Sequence, residues 1–117
     1  MNFHTRSLPP VKNPSNSILI EQKFSNVDKV FKDLISIAKK LPRTKEIINH
    51  KHYWKGVCRS FFFRFPDDLE ILQLQEVGIN DDYSGIIQIK STSRFGQSDF
   101  GVNRRRVGLI LAQLDYF

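Results

Sequence analysis

Residues 44–92 read TKEIINHKHYWKGVCRSFFFRFPDDLEILQLQEVGINDDYSGIIQIKST, β-branched and aromatic runs broken by turn signals at Lys51, at Pro66 and between Gly78 and Gly85. The spacing predicts four strands, at 44–49, 52–65, 68–77 and 85–92, with Asn80-Asp81-Asp82-Tyr83-Ser84-Gly85 as a polar loop before the last. Strands joined by links this short run antiparallel, because a parallel return needs a longer crossover. Upstream, residues 17–24 predict one more strand, with Ile18, Ile20 and Gln22 on one face and Leu19, Glu21 and Lys23 on the other. Ser25-Asn26-Val27-Asp28 then has the shape of a capping box. Behind it Val27, Val30, Phe31, Leu34, Ile37, Ala38 and Leu41 recur at helical spacing as far as Pro42. After Gly96 the helical period returns in Val107, Ile110, Leu111, Leu114 and Phe117. The order β-α-β-β-β-β-α predicts an α+β fold, a curved antiparallel sheet of about five strands with both helices packed on one, concave, face.

The length of 117 residues suits one domain, since two would leave each half too short to bury a core. Residues 1–16, with Pro9, Pro10 and Pro14 and no periodicity, are expected to form a flexible leader, and residues 17–117 a single domain. Hydrophobic residues at 40% and charged residues at 26% exclude a disordered composition. Ten phenylalanines against one methionine and one tryptophan predict a core filled by rigid rings. The single cysteine, Cys58, excludes an intramolecular disulfide and a thiolate metal cluster. No apolar run suits a signal peptide or a membrane span, so a cytoplasmic location is expected. The net charge of +6 is uneven: residues 24–60 hold nine basic and three acidic residues, 61–90 two and six, and 91–117 four and two. Blocks that alternate in sign are expected to pair across the fold.

Two stretches can carry chemistry. In the first, alternation points Asp68 and Glu70 to the same face, where two carboxylates can share a cation or split their pKa values. The plainer reading is salt bridging to arginines, since no third ligand stands at metal spacing. In the second, Ser91 to Arg106, hydroxyls, two glycines and four arginines lie between a strand and a helix. Gly96 and Gly101 allow positive φ, and Ser98, Asp99 and Asn103 are all capable of capping a helix. A helix start also attracts an anion, over which Arg94, Arg104 or Arg105 can close. Phosphate-loop and dinucleotide-loop spacings are both absent. Arg104, Arg105 and Arg106 point about 100° apart on a helix. At least one of them is expected to face inward, Arg105 or Arg106, and to pair with Asp67 or Asp68.

His50 and His52 would share a face if one strand ran through Lys51, yet two imidazoles alone make a poor zinc site. Cys58 has no base to activate it and reads as an inert core thiol. Trp54, Phe61, Phe62, Phe63 and Phe65 read as core or sheet surface, or as the lining of a cavity between sheet and helices. Hydrolase and metalloprotease signatures do not occur.

The stretches Phe63-Arg64-Phe65-Pro66-Asp67-Asp68-Leu69-Glu70 and Ser93-Arg94-Phe95-Gly96-Gln97-Ser98-Asp99-Phe100-Gly101-Val102-Asn103-Arg104-Arg105-Arg106 closely resemble the signature of domain-of-unknown-function family 1499. The matched positions are Asp67, Asp68, Glu70, Ser93, Arg94, Gly96, Ser98, Asp99, Gly101, Asn103, Arg105 and Arg106, and the likeness spans about residues 18–115. The resemblance implies kinship with bacterial and chloroplast-lineage proteins, with no reaction, substrate or cofactor to carry over. Many such relatives have a Pro-Asn-Cys segment upstream, where this chain has Asn13-Pro14-Ser15-Asn16 without cysteine. That departure argues against an exported or disulfide-linked role.

The leading expectation is a non-enzymatic domain that binds a small apolar or anionic ligand or a protein partner, with no metal or cofactor. The rivals are an enzyme or anion site built on Asp67, Asp68 and Glu70 with Arg94 and Ser98, and, ranked last, non-specific nucleic-acid binding through the basic stretch 29–59. Oligomeric state is not legible.

Overall fold

The computed structural model describes residues 7–61, 64–75, 83–95 and 98–116. The elements are β1 (Ser17–Phe24), α1 (Val27–Lys39), β2 (Thr44–Asn49), β3 (Tyr53–Arg59), β4 (Pro66–Gln75), β5 (Gly85–Ser93) and α2 (Val102–Leu114). The class is α+β in the expected order. All four pairings are antiparallel, and the strands lie in the order β1-β5-β4-β3-β2. β2 to β5 therefore form a meander that ends beside β1. α1 connects the two edges of the sheet, which carries it across one face.

Alternation sorts the strands into two faces. Toward the helices point Trp54, Cys58, Leu69, Ile71, Ile87 and Ile89, all at most 1% exposed. They meet Phe31, Leu34 and Ile37 of α1 and Val107 and Ile110 of α2 in one core cluster. Each such side chain contributes about 1.5–3 kcal/mol by leaving water. Gly56 fits this face because a Cβ there would stand 2.4 Å from the Trp54 ring. The indole lies over the glycine, and its N–H is donated to Glu46 Oε2 at 2.7 Å.

The core is aliphatic, contrary to the expectation from composition. Phe31 and Trp54 are its buried aromatics among the described residues, while Phe61, Phe65, Phe95 and Phe100 are all exposed. Those four lie in turns, where no strand or helix face can carry them inward. Phe62, Phe63 and Phe117 lie outside the described residues, as do 76–82 with most of the polar loop, and Gly96 and Gln97.

Three local expectations give way to tertiary bonds. Ser25 does not cap α1: the N-cap is Asn26, without a side-chain bond, and the Val27 N–H donates to Tyr83 O at 2.9 Å. Asp28, instead of reaching back, accepts from Gln73 Nε2 at 2.6 Å. β3 stops at Arg59 rather than running to Phe65, because Ser60 N–H turns back to Phe65 O. His50 and His52 share no strand face, since residues 50–52 form a turn closed by His50 N–H on Tyr53 O at 2.8 Å.

The second face of the sheet presents Leu72 and Leu74, which cluster with Leu8, and Leu19, Tyr53 and Ile86, which pack against that cluster. The Leu8 N–H donates to Gln88 Oε1 at 2.8 Å, and Lys90 Nζ donates to Pro9 O at 2.6 Å. Leu8 and Pro9, within the expected leader, thus contact the sheet. The outward-facing leucines would otherwise lie in water. No helix among the described residues is long and apolar enough to cross a membrane.

Candidate functional site

Asp67 and Asp68 are neighbours in β4, so their side chains leave the sheet on opposite faces. Asp67 points to the helices and is 3% exposed. Its Oδ2 accepts from Arg106 Nη1 at 2.9 Å, with side chains 5% and 11% exposed. Its Oδ1 accepts from Ser93 Oγ at 2.9 Å. Of the two inward candidates, Arg106 is the arginine that pairs. Arg105 is exposed and donates to Phe100 O at 3.0 Å.

Asn103, fully buried on the first turn of α2, ties this pair to the rest. Its Oδ1 accepts from Arg106 Nη1 at 2.8 Å and from Ser91 Oγ. Its Nδ2 lies 2.9 Å from Asn16 O, 2.9 Å from Ser93 Oγ and 2.7 Å from Asp99 Oδ2. An amide nitrogen has two hydrogens for these three acceptors, so one bond is shared. Asn16, 3% exposed, also accepts from Ser93 N–H through its carbonyl and donates its Nδ2 to Phe95 O at 2.9 Å. The network joins β4, β5, α2 and the segment before β1 in one desolvated knot. In low dielectric such bonds reinforce one another, and an unmade one is costly.

The start of α2 is filled by the chain itself. Asp99 accepts from Gly101 N–H at 2.8 Å and Asn103 N–H at 2.9 Å. Gly101 stands at φ +82°, a conformation that a Cβ resists. Burial alone would raise the Asp99 pKa, but the bonds from the Asn103 backbone and side chain and from the Gly101 backbone outweigh it and hold the carboxyl below its usual range. Where a helix N-terminus could take up an outside anion, this one holds its own carboxylate. A depressed folded pKa adds stability that is complete above about pH 4 and is lost as pH falls through the folded value. Asp99→Asn is therefore expected to flatten the acid limb of stability against pH, read by urea unfolding across that limb.

The opposite face of β4 carries Asp68 and Glu70. Arg94 grips Asp68 through Nε and Nη2, the shortest bond 2.8 Å, and the ion pair holds the guanidinium pKa above its ordinary value. Glu70 accepts from Tyr53 Oη at 2.7 Å. Burial, then this bond and the nearby carboxylate charges, push the Tyr53 hydroxyl well above its usual pKa, so it stays a donor. The three motif carboxylates thus go to three different partners. Among the described residues no three His, Cys, Asp or Glu side chains are grouped to hold a metal. Cys58 is 1% exposed and accepts from Thr44 Oγ1 at 3.2 Å. Burial pushes its thiol pKa up, which disfavours the thiolate.

On this second face a cleft of about 350 Å³ lies between residues 9–13 and the end of β5. Pro9, Pro10 and Phe95 give it apolar walls, and Lys12, Lys90 and Arg94 line it with positive charge. Thr92 also lines it, and its Oγ1 is buried without a hydrogen-bond partner among the described residues. Of the remaining motif positions, Ser98 accepts from Phe100 N–H at 3.3 Å, and Gly96 lies outside the described residues.

Sequence reasoning missed Asn16, Tyr53 and the inward role of Ser91. Ser91 had a signal, because it shares the inward parity of Ile87 and Ile89 and a polar side chain there needs partners. Tyr53 had a weaker one as the cross-strand neighbour of Leu72 beside Glu70. Asn16 had none, since it follows a stretch without periodicity.

The fold and the knot define a class: a small α+β domain whose signature residues close the end of an antiparallel sheet over its last helix. The chain belongs to the DUF1499 family, described as a protein family of unknown function, whose profile matches residues 6–114. It is also similar to the crystal structure of TTHA0849 from Thermus thermophilus, with 9% identity, a TM-score of 0.34, and 84% of this chain and 88% of that chain covered. No curated protein matches it.

Proposed function

We propose that this is a non-enzymatic domain that binds a small organic anion in the cleft between residues 9–13 and β5. One observation carries the reading: Lys12, Lys90 and Arg94, the last held by Asp68, line one concavity with Thr92, whose buried hydroxyl has no partner among the described residues. The volume of about 350 Å³ lies within the range of small-molecule sites. A carboxylate or phosphate would meet Lys12 and Lys90 and, on a turn of the Thr92 side chain, its hydroxyl, and an apolar body would lie against Pro9, Pro10 and Phe95. Against an acid/base role, Asp67, Asp68 and Glu70 are each committed to a structural partner. The lone buried thiol of Cys58 fits a cytoplasmic location.

Native mass spectrometry of the purified protein tests this reading, with released small molecules identified in the same run. A bound organic anion is expected, weakened about tenfold by Thr92→Val through the lost hydroxyl bond. A ligand-free protein with no thermal shift toward organic carboxylates and phosphates would remove the cleft as a binding site.

A further inference from the structure

The start of β2, the end of β3, the start of β4, the end of β5 and the start of α2 all lie at one end of the sheet. Three connections meet there, at 40–43, 60–65 and 94–101. They expose Phe61 (69%), Phe65 (51%), Phe95 (55%) and Phe100 (86%), half of the eight exposed large hydrophobics among the described residues. Phe65 and Phe95 bring two of the connections together, ring centroids 5.5 Å apart.

Arginines surround these rings. Arg43 lies over the Phe61 ring at 5.3 Å and donates to Arg59 O, Arg59 donates to Arg64 O, and Arg105 donates to Phe100 O. Bonds to carbonyls orient these guanidinium groups without cancelling their charge. The carboxylates of the same end are already engaged, Asp67 with Arg106, Asp68 with Arg94 and Asp99 with α2. The surface presented is apolar and cationic together. Backbone strain concentrates there too: the non-glycine residues at positive φ among those described are Arg43 (54°), Arg64 (58°) and Phe100 (53°), one in each connection. Such conformations cost free energy, and strain of this kind clusters at functional sites.

We propose that this end docks on an anionic phospholipid surface, the phenylalanines entering the headgroup boundary and the arginines meeting lipid phosphates. Phenylalanine supplies apolar area with no polar tip to hydrate, and arginines beside it match the negative potential of an anionic leaflet. Single-stranded nucleic acid also pairs rings with arginines, but it needs a groove that tracks a backbone. Here the rings stand on loop tips, Phe100 almost wholly in water. Phe95 is shared with the cleft wall, but the proposal does not rest on the cleft, because Phe61, Phe65, Phe100, Arg43, Arg59 and Arg64 do not line it.

Co-sedimentation of the full chain with vesicles of phosphatidylserine and phosphatidylcholine in equal parts, against phosphatidylcholine alone, is the test. The mixed vesicles are expected to bind it, less at high salt, and the neutral ones to leave it in solution. Phe61→Ser and Phe100→Ser each lower the partition coefficient about tenfold, and Arg64→Ser about fivefold, at an unchanged thermal midpoint. Thr92→Val leaves vesicle binding intact while weakening any cleft ligand, so the two readings fail separately. Equal partition of wild type and the Phe61→Ser/Phe100→Ser double variant overturns the proposal. So does an oligonucleotide that displaces the protein from vesicles and loses affinity with the same two variants, or a self-association that they abolish.

Discussion

Arg106→Met is expected to lower the unfolding free energy by about 3–5 kcal/mol, whereas the double variant Asp67→Leu/Arg106→Met regains most of that loss. The pair is 11% and 5% exposed, so water cannot take over when one member goes. Methionine replaces the aliphatic stem but removes the donor that Asp67 Oδ2, Ser91 Oγ and Asn103 Oδ1 share. A carboxylate with only the Ser93 hydroxyl left is then desolvated without compensation. Removing both charges abolishes that penalty and leaves an apolar contact in its place. Urea unfolding of the two single variants and the double variant closes the cycle. Single losses below about 1 kcal/mol that simply add would show that the pair does not hold the sheet to α2. Arg94→Gln is the contrasting surface case, its side chain 45% exposed, and should leave the midpoint nearly unchanged.

Much of this pair was legible in the residues. Alternation puts Asp68 with Glu70 and therefore Asp67 with Leu69 and Ile71, on the face whose apolar neighbours demand a core. The three consecutive arginines then leave one inward on α2, which the geometry identifies as Arg106. β1, α1 and β2 were equally readable, because period two and period 3.6 are the direct imprint of burying one face.

What sequence hid is tertiary. The docking of Leu8 depends on Leu72, Leu74 and Ile86 sharing an outward face, which only the sheet register brings together. α1 takes Tyr83 O in place of a serine cap because the chain entering β5 passes its first turn. Phenylalanine content suggested an aromatic core, but composition ignores position, and four of these rings belong to turns.

Asn103→Ala should destabilise the fold by about 3 kcal/mol, and Asn103→Asp by more at neutral pH. Alanine takes a donor from Ser93 Oγ and Asp99 Oδ2, leaves Asn16 O with the Ser93 N–H alone, and removes the acceptor shared by Ser91 Oγ and Arg106, in a space closed to water. Aspartate has the same shape but turns the donor into an acceptor, directed at Asp99 Oδ2 and Asn16 O, which lie 2.7 and 2.9 Å from the amide nitrogen. Burial and the facing Asp99 carboxylate are expected to outweigh Arg106, whose charge already balances Asp67, so the introduced acid has a folded pKa above its unfolded one. The folded state then holds the extra proton, so the variant gains stability as pH falls and loses it as pH rises. Urea midpoints of the two variants at neutral and mildly acidic pH separate these effects: the aspartate variant approaches the alanine one in acid and falls below it at neutrality. Hydrogen exchange adds location, because a knot joining residues 15–17 to α2 should release the amides of Ser93, Asp99 and Asn103 together. If only α2 loosened and Ser93 stayed protected, the network would be a helix cap and not the clamp that closes the sheet.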